Sequence, residues 1–121
     1  MLSDIPYIED IDFNNDNTLK YYVSNGKPVV MMVQGNFCGY CSQAKPAFKQ
    51  FVDSNSKVTG VTLQIDGKPS EKNASKIIPM LYSDYKGVPV YLGFDKNGRF
   101  VKCHDGGRDV NSLMTFANSL A

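Results

Sequence analysis

From Pro28 to Val33 the chain is apolar almost without a break, the pattern of a strand buried on both faces. Beyond it the period changes. Cys41, Ala44, Phe48, Phe51 and Val52 recur at three- and four-residue spacings, which predicts a helix over 38–54. Pro46 falls inside that helix, removes one backbone donor and is expected to kink it. Val61, Leu63 and Ile65 alternate with polar residues and predict a strand over 58–66. Upstream, residues 5–12 read as a short first strand. The run Asn14-Asn15-Asp16-Asn17-Thr18 is rich in capping residues and should open a helix through Leu19, Tyr21, Tyr22 and Val23, stopped by Asn25-Gly26.

Further along, Pro69-Ser70-Glu71 begins a helix whose buried end is Ile77-Ile78. Pro79 interrupts the pattern, and 80–86 forms a second short helical turn. Residues 88–94 and 99–103 pair as a hairpin across Asp95-Lys96-Asn97-Gly98. On the second hairpin strand Cys103 alternates with Val101 on one face, and Lys102 and His104 take the other. Val110, Leu113, Met114, Ala117 and Leu120 mark an amphipathic last helix. The order is β-α-β-α-β-α-β-β-α. Helices between successive strands imply parallel pairings, and the late hairpin adds an antiparallel edge.

A chain of 121 residues is read as a single domain over 1–121, with enough length for a core of its own. The net charge of +1 offers no electrostatic footprint for nucleic acid or an anionic membrane. No apolar run reaches membrane-spanning length. The first residues lack a basic region followed by an apolar one, so no signal peptide is read. Three cysteines make a poor disulfide framework. Both points favour a cytoplasmic compartment, although a processed exported chain would look the same.

The chemistry concentrates where the apolar strand meets the helix, at Phe37-Cys38-Gly39-Tyr40-Cys41. Residues i and i+3 in the first turn of a helix share a face, which brings two cysteines within disulfide reach. Unpaired N–H groups and the dipole at a helix N-terminus stabilise a thiolate there. Cys38 is therefore the attacking sulfur and Cys41, one turn in, the shielded one that resolves the mixed disulfide. Thiolate attack on a disulfide needs no cofactor and no metal.

At these residues the chain resembles the thioredoxin superfamily, nearest to thioredoxin and the catalytic domains of protein disulfide isomerase. Pro46 stands where the family has its helix-kinking proline. Gly87-Val88-Pro89-Val90 is similar to the cis-proline segment, Asp95-Lys96-Asn97-Gly98 to the final hairpin turn, and Asp105-Gly106-Gly107-Arg108 to the approach to the last helix. The resemblance implies an α/β thioredoxin fold: a mixed central sheet of four to five strands flanked by helices, with a cis-proline opposite the dithiol. Between Asp66 and Pro89 the chain is several residues longer than a minimal thioredoxin, which places an insertion at 67–87.

The resemblance also implies roles. Gly39 and Tyr40 tune the redox poise. Phe37, in place of the family's tryptophan, is a substrate-facing aromatic. Val88 and Pro89 hold the substrate chain. Arg108 matches an arginine that swings toward the second cysteine. The family's buried carboxylate, six residues before the first cysteine, falls on Met32, and the lysine that partners it falls on Thr62.

The expected function is thiol–disulfide exchange on protein substrates by a monomer, with a separate redox partner. The alternative is a non-enzymatic module holding zinc, an iron–sulfur cluster or a protein through the same cysteines. For zinc, Cys103 and His104 would have to complete the ligands. Adjacent on a strand, they point to opposite faces.

Overall fold

The structure is a computed structural model that describes residues 2–120. The elements are α1 (Tyr21–Ser24), β1 (Val29–Gln34), α2 (Gly39–Ser54), β2 (Thr59–Gln64), α3 (Pro69–Ser75), α4 (Ile78–Leu81), β3 (Val90–Phe94), β4 (Phe100–Cys103) and α5 (Val110–Asn118). The strands form one mixed sheet in the order β2-β1-β3-β4.

Both faces of β1 are covered, as its apolar run requires. Val30 and Met32 pack with Ala44, Phe48 and Phe51 of α2 and Leu113, Phe116 and Ala117 of α5. Val29, Met31 and Val33 pack on the other face with Ala74, Ile78, Leu19 and Val23. The sheet is thus the middle layer, and the dithiol helix lies on the Met32 face. Phe48 and Phe51 have no exposed surface. α2 runs on through Pro46 as one helix.

The expectation of parallel pairing holds for β1 with β2, where Met32 faces Thr62. It fails for β3, which is antiparallel to β1, with Met32 facing Tyr91 and Val33 facing Val90. The reason lies in the connection. A crossover must carry the chain back along the full length of the sheet. The seven residues of α3 and the four of α4 instead leave the chain at the end where β1 and β2 finish, so β3 sets out beside Val33 and runs backwards.

Three smaller expectations change. The N-terminal segment is not a full strand: it makes one parallel bridge, Tyr7 with Thr62, on the outer side of β2, and then enters a 3-10 turn at Asp10–Asp12. α1 is one turn, because Leu19 is committed to pairing with Phe13 and its N–H donates to the Gly98 carbonyl. Asn25 and Gly26, both at positive φ, end it as expected. Pro79 opens α4 rather than interrupting a helix, since it occupies an initial position where a missing N–H costs nothing.

A bulge between Gly93 and Phe94 skips Val101, so that Phe100 and Cys103 share the Phe94 and Leu92 face. Val101 is left exposed. The hairpin turn is built on Asp95, whose carboxylate accepts from the N–H groups of Asn97 and Arg99.

Candidate functional site

β1 ends at Gln34, and the chain reaches α2 through Gly35, Asn36, Phe37 and Cys38. Asp66, just past β2, holds this loop: its carboxylate accepts from the N–H of Asn36 at 3.0 and 3.1 Å and from that of Phe37 at 3.3 Å. Burial works against the charge on Asp66, but these amide bonds outweigh it and hold its carboxyl below the usual value. A side chain at Gly35 would collide with the Phe37 ring. Phe37 therefore lies back over Gly35 while remaining 70% exposed.

Cys38 is the N-cap of α2 in an extended conformation, and its Sγ accepts the N–H of Cys41 at 3.1 Å. The sulfur thus occupies the place of an oxygen cap, against one of the helix's orphan donors. Cys38 is partly exposed and Cys41 buried, both as free thiols. The Cys38 thiol also donates to the Val88 carbonyl at 3.7 Å, and the Val88–Pro89 bond is cis. The dithiol and the proline segment, 50 residues apart in sequence, thus meet at one point.

Burial first and the neighbouring Cys38 next push the Cys41 thiol up to about 11, while the Gly35 N–H and the Lys45 charge partly oppose the rise. The position six residues before Cys38 offers no carboxylate. Met32 is fully buried, and its register partner Thr62 donates its hydroxyl to the Met32 carbonyl at 2.8 Å. Met32 and Thr62 thus stand side by side as two neutral residues.

Arg108 reaches the site by way of Tyr40 rather than Cys41. Its guanidinium lies 5.7 Å from the Tyr40 ring centre, and Tyr40 is itself exposed. Gly39 is the first residue of α2 and has open space around it. Beside Pro89 an open groove of about 500 Å³ is lined by Tyr82, Lys86, Val90, Cys103 and His104.

Cys103 faces the Leu92 side of the sheet. His104 packs on the opposite side, against Tyr91 and Phe116. Among the described residues no three His, Cys, Asp or Glu side chains come together as metal ligands.

Three residues near the dithiol went unremarked in the sequence. Tyr85, between α4 and β3, is close enough to Cys41 to feel its charge. Gln34 is fully buried at the end of β1, and Tyr91 is nearly so on β3. A period of two counted from Pro89 would have put Tyr91 on the dithiol side. Gln34, ending an apolar run, carries no such signal.

The fold and the Cys-x-x-Cys pair at its strand–helix junction define a class, the thioredoxin-fold proteins. Spinach chloroplast thioredoxin f superposes with a TM-score of 0.68 at 17% identity, over 96% of this chain and 92% of that one. In sequence the chain is similar to a thioredoxin-like protein of Invertebrate iridescent virus 6, at 25% identity over 91% of this chain and 89% of that protein. It is also similar to the protein disulfide-isomerase erp38 of Neurospora crassa, at 23% identity over 92% of this chain but only 29% of that longer protein. No protein-family model matches the chain. The resemblance to the thioredoxin superfamily seen at the dithiol is thereby borne out across the chain.

Proposed function

We propose that this protein is a thiol–disulfide oxidoreductase that exchanges disulfides with protein substrates through Cys38 and Cys41. The observation that carries the reading is the pairing of a partly exposed sulfur at a helix N-cap with a buried sulfur one turn behind it. Cys38 attacks the substrate disulfide and forms a mixed disulfide. Cys41 then attacks Cys38 Sγ and releases the substrate thiol.

The Val88 carbonyl beside Cys38 Sγ supports a role for Val88 and Pro89 in holding the substrate chain, with Phe37 as an exposed apolar contact. Gly39, Tyr40 and the Arg108 stacked on it tune the pair. The protein works as a monomer and draws electrons from, or gives them to, a separate redox partner.

The test is trapping. Cys41→Ser should accumulate a mixed disulfide on Cys38 with a disulfide-containing protein substrate, and Cys38→Ser should not. Alkylation of the native protein at neutral pH should label Cys38 ahead of Cys41 and Cys103. Equal labelling of all three, with no trapped species, would reject the reading.

A further inference from the structure

Two buried polar atoms on the dithiol side of the sheet lack partners: the Tyr91 hydroxyl and Gln34 Oε1. Each belongs to a side chain at most 3% exposed. Buried polar groups are nearly always paired, so each such orphan calls for an explanation. The register sets their positions. Tyr91 faces Met32 directly. Gln34 lies two residues along β1, on the same face, and is therefore the diagonal neighbour of Tyr91, within reach of a long side chain. The Gln34 amide is already oriented, because Nε2 donates to Thr62 Oγ1 at 3.3 Å and so Oε1 is the end left free. One orphan can donate and the other can only accept.

The Tyr91 hydroxyl lies at the dithiol end of this face. Its ring packs 5.9 Å from Phe48, which shares the helix face of Cys41 and Ala44. The charges of Cys41 and of Arg108 both act on it. The two orphans thus flank Met32 on the face of the sheet that α2 covers.

We propose that the Tyr91 hydroxyl, free while both cysteines are thiols, donates a hydrogen bond to the Cys41 thiolate during resolution. The proposal rests on the oxidoreductase reading, and it favours the thiolate at a site where Met32 offers no proton acceptor.

In the step, the Cys41 S–H bond breaks and its electron pair attacks Cys38 Sγ. The bond between Cys38 and the substrate sulfur breaks, its pair leaves on the substrate sulfur, and that sulfur takes up a proton. Cys38 and Cys41 are oxidised to a disulfide, the substrate is reduced, and no further reactant enters. A hydrogen bond to the charged form favours it, and one made to an ion is stronger than a neutral one. The phenol need not ionise for this role, and its buried position keeps it protonated.

Other groups also act on Cys41: Cys38 at the N-cap and Lys45 on its own helix, and Tyr85 ahead of β3; Arg108, ahead of α5, acts on Tyr91. His104 packs edge-on against the Tyr91 ring. Lys45 is the competitor, since its charge already favours the thiolate.

The experiment follows the ¹³C shift of Cys41 Cβ against pH in Cys38→Ser, with and without Tyr91→Phe or Lys45→Met. It needs no substrate. Loss of the hydroxyl should raise the Cys41 midpoint by about one unit, a tenfold loss of thiolate. In the protein with both cysteines, Tyr91→Phe should slow resolution at neutral pH by a similar factor. An unchanged midpoint in Tyr91→Phe, with the rise confined to Lys45→Met, would overturn the proposal. Formation of the mixed disulfide by Cys38 reports separately on the oxidoreductase reading. If it never forms and the Cys41 midpoint still moves with Tyr91, that reading fails while the assignment of the hydrogen bond stands.

Discussion

Resolution of the mixed disulfide should be the pH-limited step. The perturbation is pH alone, and the magnitude follows from Cys41. Its thiol is pushed from 9.0 to about 11, first by burial and then by Cys38. A group titrating there is ionised to roughly one part in 10⁴ at pH 7, against roughly one in 10² for an ordinary cysteine. The hundredfold deficit corresponds to about 2.7 kcal/mol. In the mixed disulfide Cys38 bears no charge, so its share of the rise disappears while that of burial remains. The working midpoint therefore lies between 9.0 and about 11.

Below that midpoint the resolution rate should climb tenfold per pH unit, and it should bend only above pH 9. Donation from Tyr91 would move the bend without changing the slope. The assay is acid quench of the Cys38 mixed disulfide at millisecond intervals, read by intact mass across pH 6 to 10. Resolution that is already fast and flat between pH 6 and 9 would mean that another group takes the proton. The view that the Met32 position limits turnover would then be wrong.

Met32→Glu should speed resolution at neutral pH, by restoring an acceptor, and destabilise the fold on the order of 3 kcal/mol by burying a carboxylate without a partner; rapid quench and urea melts read the two effects. Tyr91→Phe should raise stability by about 1 kcal/mol in the same melts, because it removes a buried hydroxyl that has no partner. Gly60→Ala should cost about 1–3 kcal/mol, since its new methyl would overlap Val52 Cγ2 where α2 packs on β2; an unchanged urea midpoint would refute that packing. The folded-state values of Cys41 and Tyr91 both lie above their ordinary 9.0 and 10.0. Folding stability should thus be intact below pH 9 and fall as pH rises toward 11 and 12, which thermal melts across alkaline buffers would detect.

Local chemistry carried much of this protein openly in its sequence. The period of apolar positions in 28–33 and 41–52 set a two-faced strand and an amphipathic helix end to end, and their junction alone was enough to single out Cys38 and Cys41. Asn25-Gly26 and Asp95-Lys96-Asn97-Gly98 ended and turned the chain where their backbone preferences dictate. These signals are legible because each depends on neighbours within a few residues.

Tertiary structure decided what depends on partners far along the chain. The direction of β3 followed from how little length α3 and α4 provide, which no strand pattern contains. The bulge at Gly93 overruled simple alternation and gave Cys103 the company of Phe100 instead of Val101. Arg108 found the Tyr40 ring rather than Cys41. Tyr91 and Gln34 came together around Met32, on the side of the dithiol helix, only through the strand register. Burial is a property of the packed whole: the same cysteine that spacing marks as reactive is turned by three layers of structure into a thiol that must be helped to lose its proton.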